Sequence, residues 1–446
     1  MLTVTRQNLA LGTWFMLVTY AFVPRVGAGV VTLGADDLAA LLALPFVVSW
    51  IMRRDFADVP GGNGYVAVWL LILLSGIVGG IVQSGLILGR VSFPTEMWQY
   101  LKRLVFFFIA VRYLSAGWIS VSSGVGVFVW MMLLANGIGI LQTGDHWVAE
   151  ALAAIYAQNE VQLEAIVGQS IDISRNFSVT GFSTSWGGLS VFFLGVTLGL
   201  VALRSARSRL TGAAGHLGLL GVNAVLSVAN IFLSGSRAAI LGGLCVLAAG
   251  AMLLAIARGG AGERMRRLTA VVVATIGLGA LGMWYFAERV EFIQYRNEAL
   301  IDAYASGTNR FEDIEIAVAG LTNPLRWSFG IGNRVQRELY VPYGVEVEPI
   351  YLLVNYGLVG SMLRYLLVFL VARQAWRMFR GRYPGSVGLE PLGAGVLLSI
   401  VGYMVFSLGY FFFQEAVVGA LPWLLFGLLV GATRPAPRAA SPAREH

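Results

Sequence analysis

Long apolar runs recur through almost the whole chain, and they constrain its fold more than any other feature. One example is GSRAAILGGLCVLAAGAMLLA at 235–255. A helix of about 17–25 apolar residues crosses the roughly 30 Å hydrocarbon core of a bilayer. Only 12% of the 446 residues are charged, whereas soluble domains have about 25%. The sequence therefore predicts an all-α, polytopic membrane protein.

The apolar runs predict about twelve transmembrane helices in one membrane domain over residues 1–432. The predicted spans are 8–24, 36–52, 65–89, 98–114, 118–141, 187–203, 216–234, 237–257, 267–288, 350–371, 390–412 and 416–432. We interpret the first run as an uncleaved helix and not as a signal peptide. Two long extracytoplasmic loops follow, at 142–186 and 289–349, each with short helices. In the second loop, FGIGN at 329–333 is predicted to be a tight glycine turn. A disordered cytoplasmic tail is predicted at 433–446.

The basic residues indicate the orientation. With a cytoplasmic N-terminus, more than half of the 31 lysine and arginine residues lie on the cytoplasmic side. This bias favours cytoplasmic N- and C-termini and is typical of a bacterial inner membrane protein. The net charge of +7 therefore reflects the basic residues of the cytoplasmic loops and does not indicate a nucleic-acid partner. A single cysteine and the lack of a phosphate-binding loop argue against a disulfide and an ATP-driven pump.

A few basic residues depart from this bias. Arg237 lies at the outer end of its span, either as a snorkelling interfacial residue or as an anion ligand. Arg310 begins a predicted loop helix, where it is either a solvated residue or part of an anion site. Lys102 and Arg103 lie about one turn inside the outer end of their span, where snorkelling and function are equal explanations. Arg364 is interpreted as structural.

Two carboxylates lie just outside the span that begins near Ile350. Glu346 and Glu348 precede this helix in GVEVEPIYLLVNYGLVG. Either carboxylate is a candidate general base. Simple solvation, or charge balance with Arg334 and Arg337, is the alternative.

Four segments together resemble the O-antigen ligase and polymerase superfamily of integral membrane glycosyltransferases. They are LSGSRAAILGG (233–243), GTNRFEDIEIAVAGLTNPLRWSFGIGN (307–333), EPIYLLVNYGLVG (348–360) and SVTGFSTSWGGLSVFF (178–193). The resemblance covers roughly residues 175–365. It implies a GT-C-like fold and substrates that are oligosaccharides linked to polyprenyl pyrophosphate, in a surface polysaccharide pathway.

The resemblance also implies roles for particular residues. Arg237 and Arg310 correspond to arginines that bind the donor pyrophosphate, and Glu348 stands where ligases carry a catalytic histidine. Further substrate-binding candidates are Lys102, Arg103, Arg175 and Tyr351. We expect no metal or other cofactor and an inverting displacement. The glutamate favours a polymerase, whose donor and acceptor are both lipid-linked repeat units.

Two other functions stay open at this point. A ligase would transfer the glycan to lipid A core or to a protein. A flippase for lipid-linked oligosaccharides would carry basic residues along the middle of several helices, whereas this chain concentrates its unusual ones near the outer face. The resemblance implies that a polymerase of this kind contacts membrane lipid and acts beside a flippase and a chain-length regulator.

Overall fold

The structure is a computed structural model, and it describes most of the predicted membrane domain. The described residues are 6–23, 26–28, 31–90, 95–144, 146–157, 163–164, 166–167, 175–202, 208–257, 310–341, 345–383, 387–410 and 418–434. The predicted span 267–288, much of both long loops and the predicted tail from 435 onward lie outside these residues.

The N-terminal half of the described chain is helical apart from one small hairpin. The hairpin pairs β1 (Val26–Ala28) with β2 (Val31–Leu33) in antiparallel register. The helices are α1 (Arg6–Thr19), α2 (Ala35–Met52), α3 (Gly62–Ile77), α4 (Ser84–Leu88), α5 (Thr95–Ser115), α6 (Val121–Gly144), α7 (His146–Tyr156) and α8 (Ser183–Ala202). A π-helical segment, Val78–Gln83, joins α3 to α4.

The C-terminal half of the described chain contains eight further helices. They are α9 (Leu217–Leu233), α10 (Arg237–Ile256), α11 (Arg310–Ala319), α12 (Pro324–Phe329), α13 (Asn333–Leu339), α14 (Glu348–Phe379), α15 (Glu390–Phe406) and α16 (Leu421–Ala432). Pro stands in the first turn of α12, α14, α15 and α16. Proline suits that position because its missing N–H would have no partner within the helix.

Six helices of the described chain are long and apolar enough to cross a membrane. They are α2, α3 with its continuation to Leu88, α6, α8, α10 and α14. A helix overlaps every predicted span except 267–288, which lies outside the described residues. The all-helical architecture is therefore confirmed, apart from the hairpin, and the total of about twelve spans stays a prediction.

The centre of the bundle depends on close backbone contact between helices. On α8, a Cβ at Gly195 would approach the backbone N of Ser399 on α15 to 2.5 Å, and one at Gly199 would overlap with Gly395. Helices in a membrane associate mainly through such close van der Waals packing, because lipid supplies no hydrophobic drive between them. α8 is almost completely buried as a result.

The predicted glycine turn FGIGN docks onto a break in α14. Gly330 and Gly332 have φ of +76° and +80°, and Gly357 interrupts α14 with φ of +66°. The break frees two carbonyl groups, and the turn supplies their donors: Ile331 N–H donates to Val354 O at 2.8 Å and Gly332 N–H to Asn355 O at 3.2 Å. Irregular backbone at membrane depth requires this kind of pairing inside the protein.

The segment that leads into this turn is built from short helices. The predicted loop helix is present as α11. Asn323 and Pro324 separate it from α12, because Asn323 Oδ1 caps the new helix by accepting from Arg326 N at 2.9 Å. Beyond the turn, Glu338 accepts from Arg334 Nε at 2.7 Å and from Arg90 at 2.5 Å. These two guanidiniums lower the pKa of Glu338.

Candidate functional site

The turn between α9 and α10 presents Arg237 at the start of a helix. Gly235 has φ of +60°, a conformation that favours glycine. Ser236 is the N-cap of α10, and its side chain accepts from Ala239 N at 3.4 Å. Arg237 therefore sits in the first turn of a 20-residue helix, where free N–H groups and the helix dipole favour an anion.

The chain just before α8 lies against this turn and brings a second arginine to it. Arg175 Nε donates to Ser234 O at 2.6 Å, and Asn176 N–H donates to Leu233 O at 3.1 Å. A Cβ at Gly235 would lie 2.9 Å from Arg175 Nε. The absence of a side chain at Gly235 is therefore what allows the Arg175 side chain to cross the turn.

Arg175 and Arg237 line one cavity of about 290 Å³, which we call the arginine pocket. Its other lining residues are Thr184, Gly235, Ser236, Ala238, Leu241, Val405, Leu408 and Gly409. The volume is near the lower end of the range typical of small-molecule sites. Two of the residues predicted to bind substrate, far apart in sequence, therefore meet at one pocket.

A buried amide network holds the Arg175 segment in place. Asn230 Oδ1 accepts from Asn176 Nδ2 at 2.6 Å and from Trp186 Nε1 at 3.2 Å. Asn230 Nδ2 donates to the backbone and side-chain oxygens of Asn136 on α6. Gln142 Oε1 accepts from the backbone N–H groups of Phe177 and Ser178. These bonds connect α6, α8 and α9 to the residues directly after Arg175.

Glu348 begins α14 and lies inside the protein, not on its surface. The residue is 1% exposed. Its backbone N–H donates to Ser407 O at 3.0 Å, and its carboxylate accepts from the Tyr403 hydroxyl at 2.6 Å. Simple solvation, the alternative interpretation of this carboxylate, does not fit its burial.

Two arginines line the same cavity as Glu348, which we call the carboxylate cavity. They are Arg103 on α5 and Arg364 on α14, 1% and 7% exposed. Arg364 was interpreted as structural, and its side chain lines the cavity that contains the predicted base. The cavity measures about 20 Å³, which is room for about one water-sized particle.

The end of α15 separates the two cavities. Tyr403 lines the carboxylate cavity, whereas Val405, Leu408 and Gly409 line the arginine pocket. Ser407, between these residues, accepts from the backbone of Glu348. The predicted base and the predicted anion ligands therefore lie on either side of the last turn of α15 and the turn that follows it.

Lys102 does not accompany its neighbour Arg103. Its ammonium lies between two aspartates of α2, bonded to Asp36 and, at 3.0 Å, to Asp37. All three residues are almost completely buried. The prediction that Lys102 binds pyrophosphate therefore requires correction, because the structure gives it an internal ion pair. Buried ammonium groups need this compensation.

The remaining predicted residues contribute less to the site. Tyr351 is 7% exposed, lies 6.5 Å from the Tyr356 ring and is not among the described residues that line either cavity. Arg310 is the first residue of α11, and its side chain lies outside what the structure describes. Its predicted role in binding pyrophosphate stays a prediction.

The asparagine network was not predicted from the sequence, and Arg364 was interpreted there as structural, although each carries a further signal. An arginine within an apolar helix is costly and is by default a functional candidate. Asn223, Ser227 and Asn230 are spaced by four and three residues, which places them on one face of α9. A polar stripe of this kind on a membrane helix predicts contact with another helix and not with lipid.

Comparison with known proteins adds no assignment. No protein-family model matches the chain, and no curated protein matches it.

Proposed function

We propose that this protein is an integral membrane glycosyltransferase that polymerises oligosaccharide repeat units linked to polyprenyl pyrophosphate. The observation that carries the proposal is the convergence of Arg175 and Arg237 on the arginine pocket. Guanidinium groups donate paired hydrogen bonds to phosphate oxygens and keep their charge at any accessible pH. The pocket thus suits the pyrophosphate of a lipid-linked donor, whose polyprenyl chain stays in the membrane.

The reaction breaks the bond between the anomeric carbon and the pyrophosphate oxygen. Arg175 and Arg237 stabilise the negative charge that grows on the leaving pyrophosphate, and the N-terminus of α10 adds to this. Glu348 accepts the proton of the attacking hydroxyl, and the single displacement inverts the anomeric centre. Because the carboxylate cavity holds about one water-sized particle, the acceptor reaches Glu348 only when neighbouring side chains move.

The proposal includes a location and partners. The positive-inside bias supports cytoplasmic termini in a bacterial inner membrane, with both cavities toward the periplasm. The glutamate at 348 supports a polymerase over a ligase, by the resemblance described above. A flippase would deliver the lipid-linked units, and a chain-length regulator would act beside the polymerase.

The arginine pocket is tested by Arg237→Lys in the purified protein, with a lipid-linked repeat unit as substrate. Lysine keeps the charge but loses the paired hydrogen bonds. We expect transfer to fall by about 10- to 100-fold, because a charge-assisted hydrogen bond contributes about 1.5–3 kcal/mol. Glu348→Gln should abolish transfer by removing the base.

The matched control is Arg326→Lys. Arg326 lies in α12, where it bonds to Gly320 O and to the Thr322 hydroxyl and lines neither cavity. Its variant should retain transfer. Full activity of Arg237→Lys at normal protein levels would count against a pyrophosphate site in the arginine pocket, and full activity of Glu348→Gln would remove Glu348 as the base.

A further inference from the structure

Two contacts from the end of α15 hold Glu348. The Tyr403 hydroxyl donates to Glu348 Oε1 at 2.6 Å, and the Glu348 backbone N–H donates to Ser407 O at 3.0 Å. Tyr403 lies in the last turn of α15 and Ser407 is its C-cap. The two residues are four apart, which places them on one face of the helix. Both the side chain and the backbone of Glu348, the first residue of α14, are therefore held by α15.

The hydrogen bond from Tyr403 joins two buried side chains. Tyr403 and Glu348 are 3% and 1% exposed. A hydrogen bond to an ionised carboxylate is shorter and stronger than one between neutral groups. Because the bond engages Oε1, it fixes the plane of the carboxylate and thereby the direction in which Oε2 points.

Tyr403 is a firm support because the helix that carries it is closely packed. A Cβ at the preceding residue, Gly402, would approach the side chains of Val191 on α8 and Val246 on α10 to 2.5 and 2.6 Å. Such packing leaves α15 little freedom to shift at this level. A tyrosine side chain has two χ angles, whereas a glutamate loses more rotamer freedom when it is fixed. The rigid ring therefore orients the more flexible carboxylate.

The same end of α15 forms part of the arginine pocket. Val405, Leu408 and Gly409 line that pocket, whereas Tyr403 lines the carboxylate cavity. One helix end thus sets the position of the carboxylate relative to the pocket. Alignment of this kind matters for a reaction, because a misplacement of about 1 Å can lower a rate by about 100-fold.

We propose that Tyr403 is a positioning residue for glycosyl transfer, and that its hydroxyl aims the Glu348 carboxylate at the hydroxyl of the acceptor. The inference rests on the proposed function, in which Glu348 is the base. Tyr403 acts through Glu348. It is not among the described residues that line the arginine pocket, so its hydroxyl contributes to the rate of the bound complex and not to binding of the donor.

Tyr403→Phe tests the proposal in the purified full-length protein with a lipid-linked repeat unit as substrate. The variant keeps the ring and removes only the hydroxyl. We expect kcat to fall by about 10- to 100-fold, because the carboxylate is no longer aimed. The KM for the lipid-linked unit should change by less than about twofold. Wild-type kcat in this variant would overturn the proposal.

Tyr65→Phe is the matched control. The buried Tyr65 hydroxyl donates to Gln374 Oε1 at 2.7 Å, which joins α3 to α14, and Tyr65 lines neither cavity. Its variant should lose a comparable amount of Tm and keep kcat within about twofold of the wild type. An equal fall of kcat in both variants would show a general loss of stability and overturn the positioning role.

A double variant tests whether Tyr403 acts through Glu348. Glu348→Asp withdraws the carboxylate from Tyr403 by one methylene. In that background Tyr403→Phe should lower kcat by less than about threefold, because the hydrogen bond is already lost. A further fall as large as in the wild-type background would overturn the proposal. If Tyr403→Phe does not fold, Glu348→Asp alone decides, since its full kcat would show that the carboxylate needs no precise placement.

Infrared spectroscopy reports the contact without any transfer. The carboxyl band that Glu348→Gln removes should shift in Tyr403→Phe and stay in place in Tyr65→Phe, because a hydrogen bond changes the carboxyl stretching frequency. An unshifted band beside normal wild-type transfer would overturn the positioning role alone. A shifted band in a protein that forms no glycosidic bond would contradict the proposed function, and the role of Tyr403 with it.

Discussion

Neighbouring residues of one helix have opposite surroundings in this protein. Successive residues on a helix point about 100° apart, so Lys102 faces α2 while Arg103 faces the carboxylate cavity. Lys102 meets Asp36 and Asp37 there. From the sequence alone, both cations are candidates to bind an anion. The sequence does not show that α2 packs beside α5 and places two carboxylates next to Lys102.

The same limit applied to Glu348. Its position just before an apolar helix identified it as a candidate base, but the hydroxyl that contacts it comes from Tyr403, on a different helix. Contacts between helices depend on how the bundle is arranged. A single sequence indicates which side chains are unusual, and packing decides which of them meet.

Asn230 is the centre of the amide network that supports the arginine pocket. We expect Asn230→Leu to reduce the free energy of unfolding by about 2–4 kcal/mol, because the buried Trp186 N–H would lose its acceptor and the buried Asn136 Oδ1 would lose its donor. The measurement is the Tm of the purified protein in detergent.

Thr19→Ala is the control for this prediction. The Thr19 hydroxyl donates to Phe15 O at 2.8 Å within α1, in an exposed position. Its removal should change stability by less than about 0.5 kcal/mol. Equal Tm values for the two variants would show that the asparagine network contributes little to the fold.

At the scale of elements, helix positions were predictable and helix interruptions were not. The predicted span 237–257 corresponds to α10, Arg237–Ile256, and 36–52 to α2, Ala35–Met52. Apolar runs fix these bounds because the bilayer requires a certain length of helix. The span 350–371 was expected to be one continuous helix, and the structure breaks it at Gly357.

The break was not predictable because its cause lies elsewhere in the chain. Gly357 is stable with positive φ where the FGIGN turn supplies donors to the carbonyls of Val354 and Asn355. Both segments were recognised as motifs, and the turn itself was predicted. That the turn would dock onto the helix follows only from the arrangement of α12, α13 and α14.

Gly357→Ala tests the fit between the turn and the broken helix. An alanine Cβ would overlap with the backbone of Ser328 and Phe329, and its φ of +66° is unfavourable for any residue with a side chain. We expect a loss of about 2 kcal/mol or more in stability and a large loss of transfer. Thermal unfolding and the transfer assay measure these effects.

Gly221→Ala is the matched control. Gly221 lies in α9 with nothing within 4 Å of an added Cβ. Alanine there should stabilise the helix by about 0.5–1 kcal/mol. If Gly357→Ala were as stable and as active as Gly221→Ala, the break would not depend on glycine.

For the whole molecule, the orientation of the bundle decides which face carries the cavities. We expect the segment around Thr322 to be periplasmic and the residues after α14 to be cytoplasmic. In a Cys245→Ala background, a membrane-impermeant maleimide should label Thr322→Cys in cells with a permeabilised outer membrane. Arg382→Cys, also exposed, should be labelled only after lysis. The reverse pattern would invert the topology.

Two cavities lie on either side of the end of α15. One holds paired arginines suited to pyrophosphate, and the other holds a buried carboxylate near two cations. Ser407 lies between the two cavities and accepts a hydrogen bond from the backbone of Glu348. This contact is the physical basis for proposing that donor binding and proton transfer take place next to each other.

The most direct measurement is to incubate the purified protein with one polyprenyl-pyrophosphate-linked repeat unit as both donor and acceptor, and to size the products on a gel. The account predicts a ladder of longer lipid-linked chains, which Arg237→Lys shortens and Glu348→Gln removes. No ladder from a folded preparation, with transfer appearing only after a lipid A core or protein acceptor is added, would contradict the polymerase and indicate a ligase. Translocation of the lipid without formation of any glycosidic bond would contradict glycosyl transfer altogether.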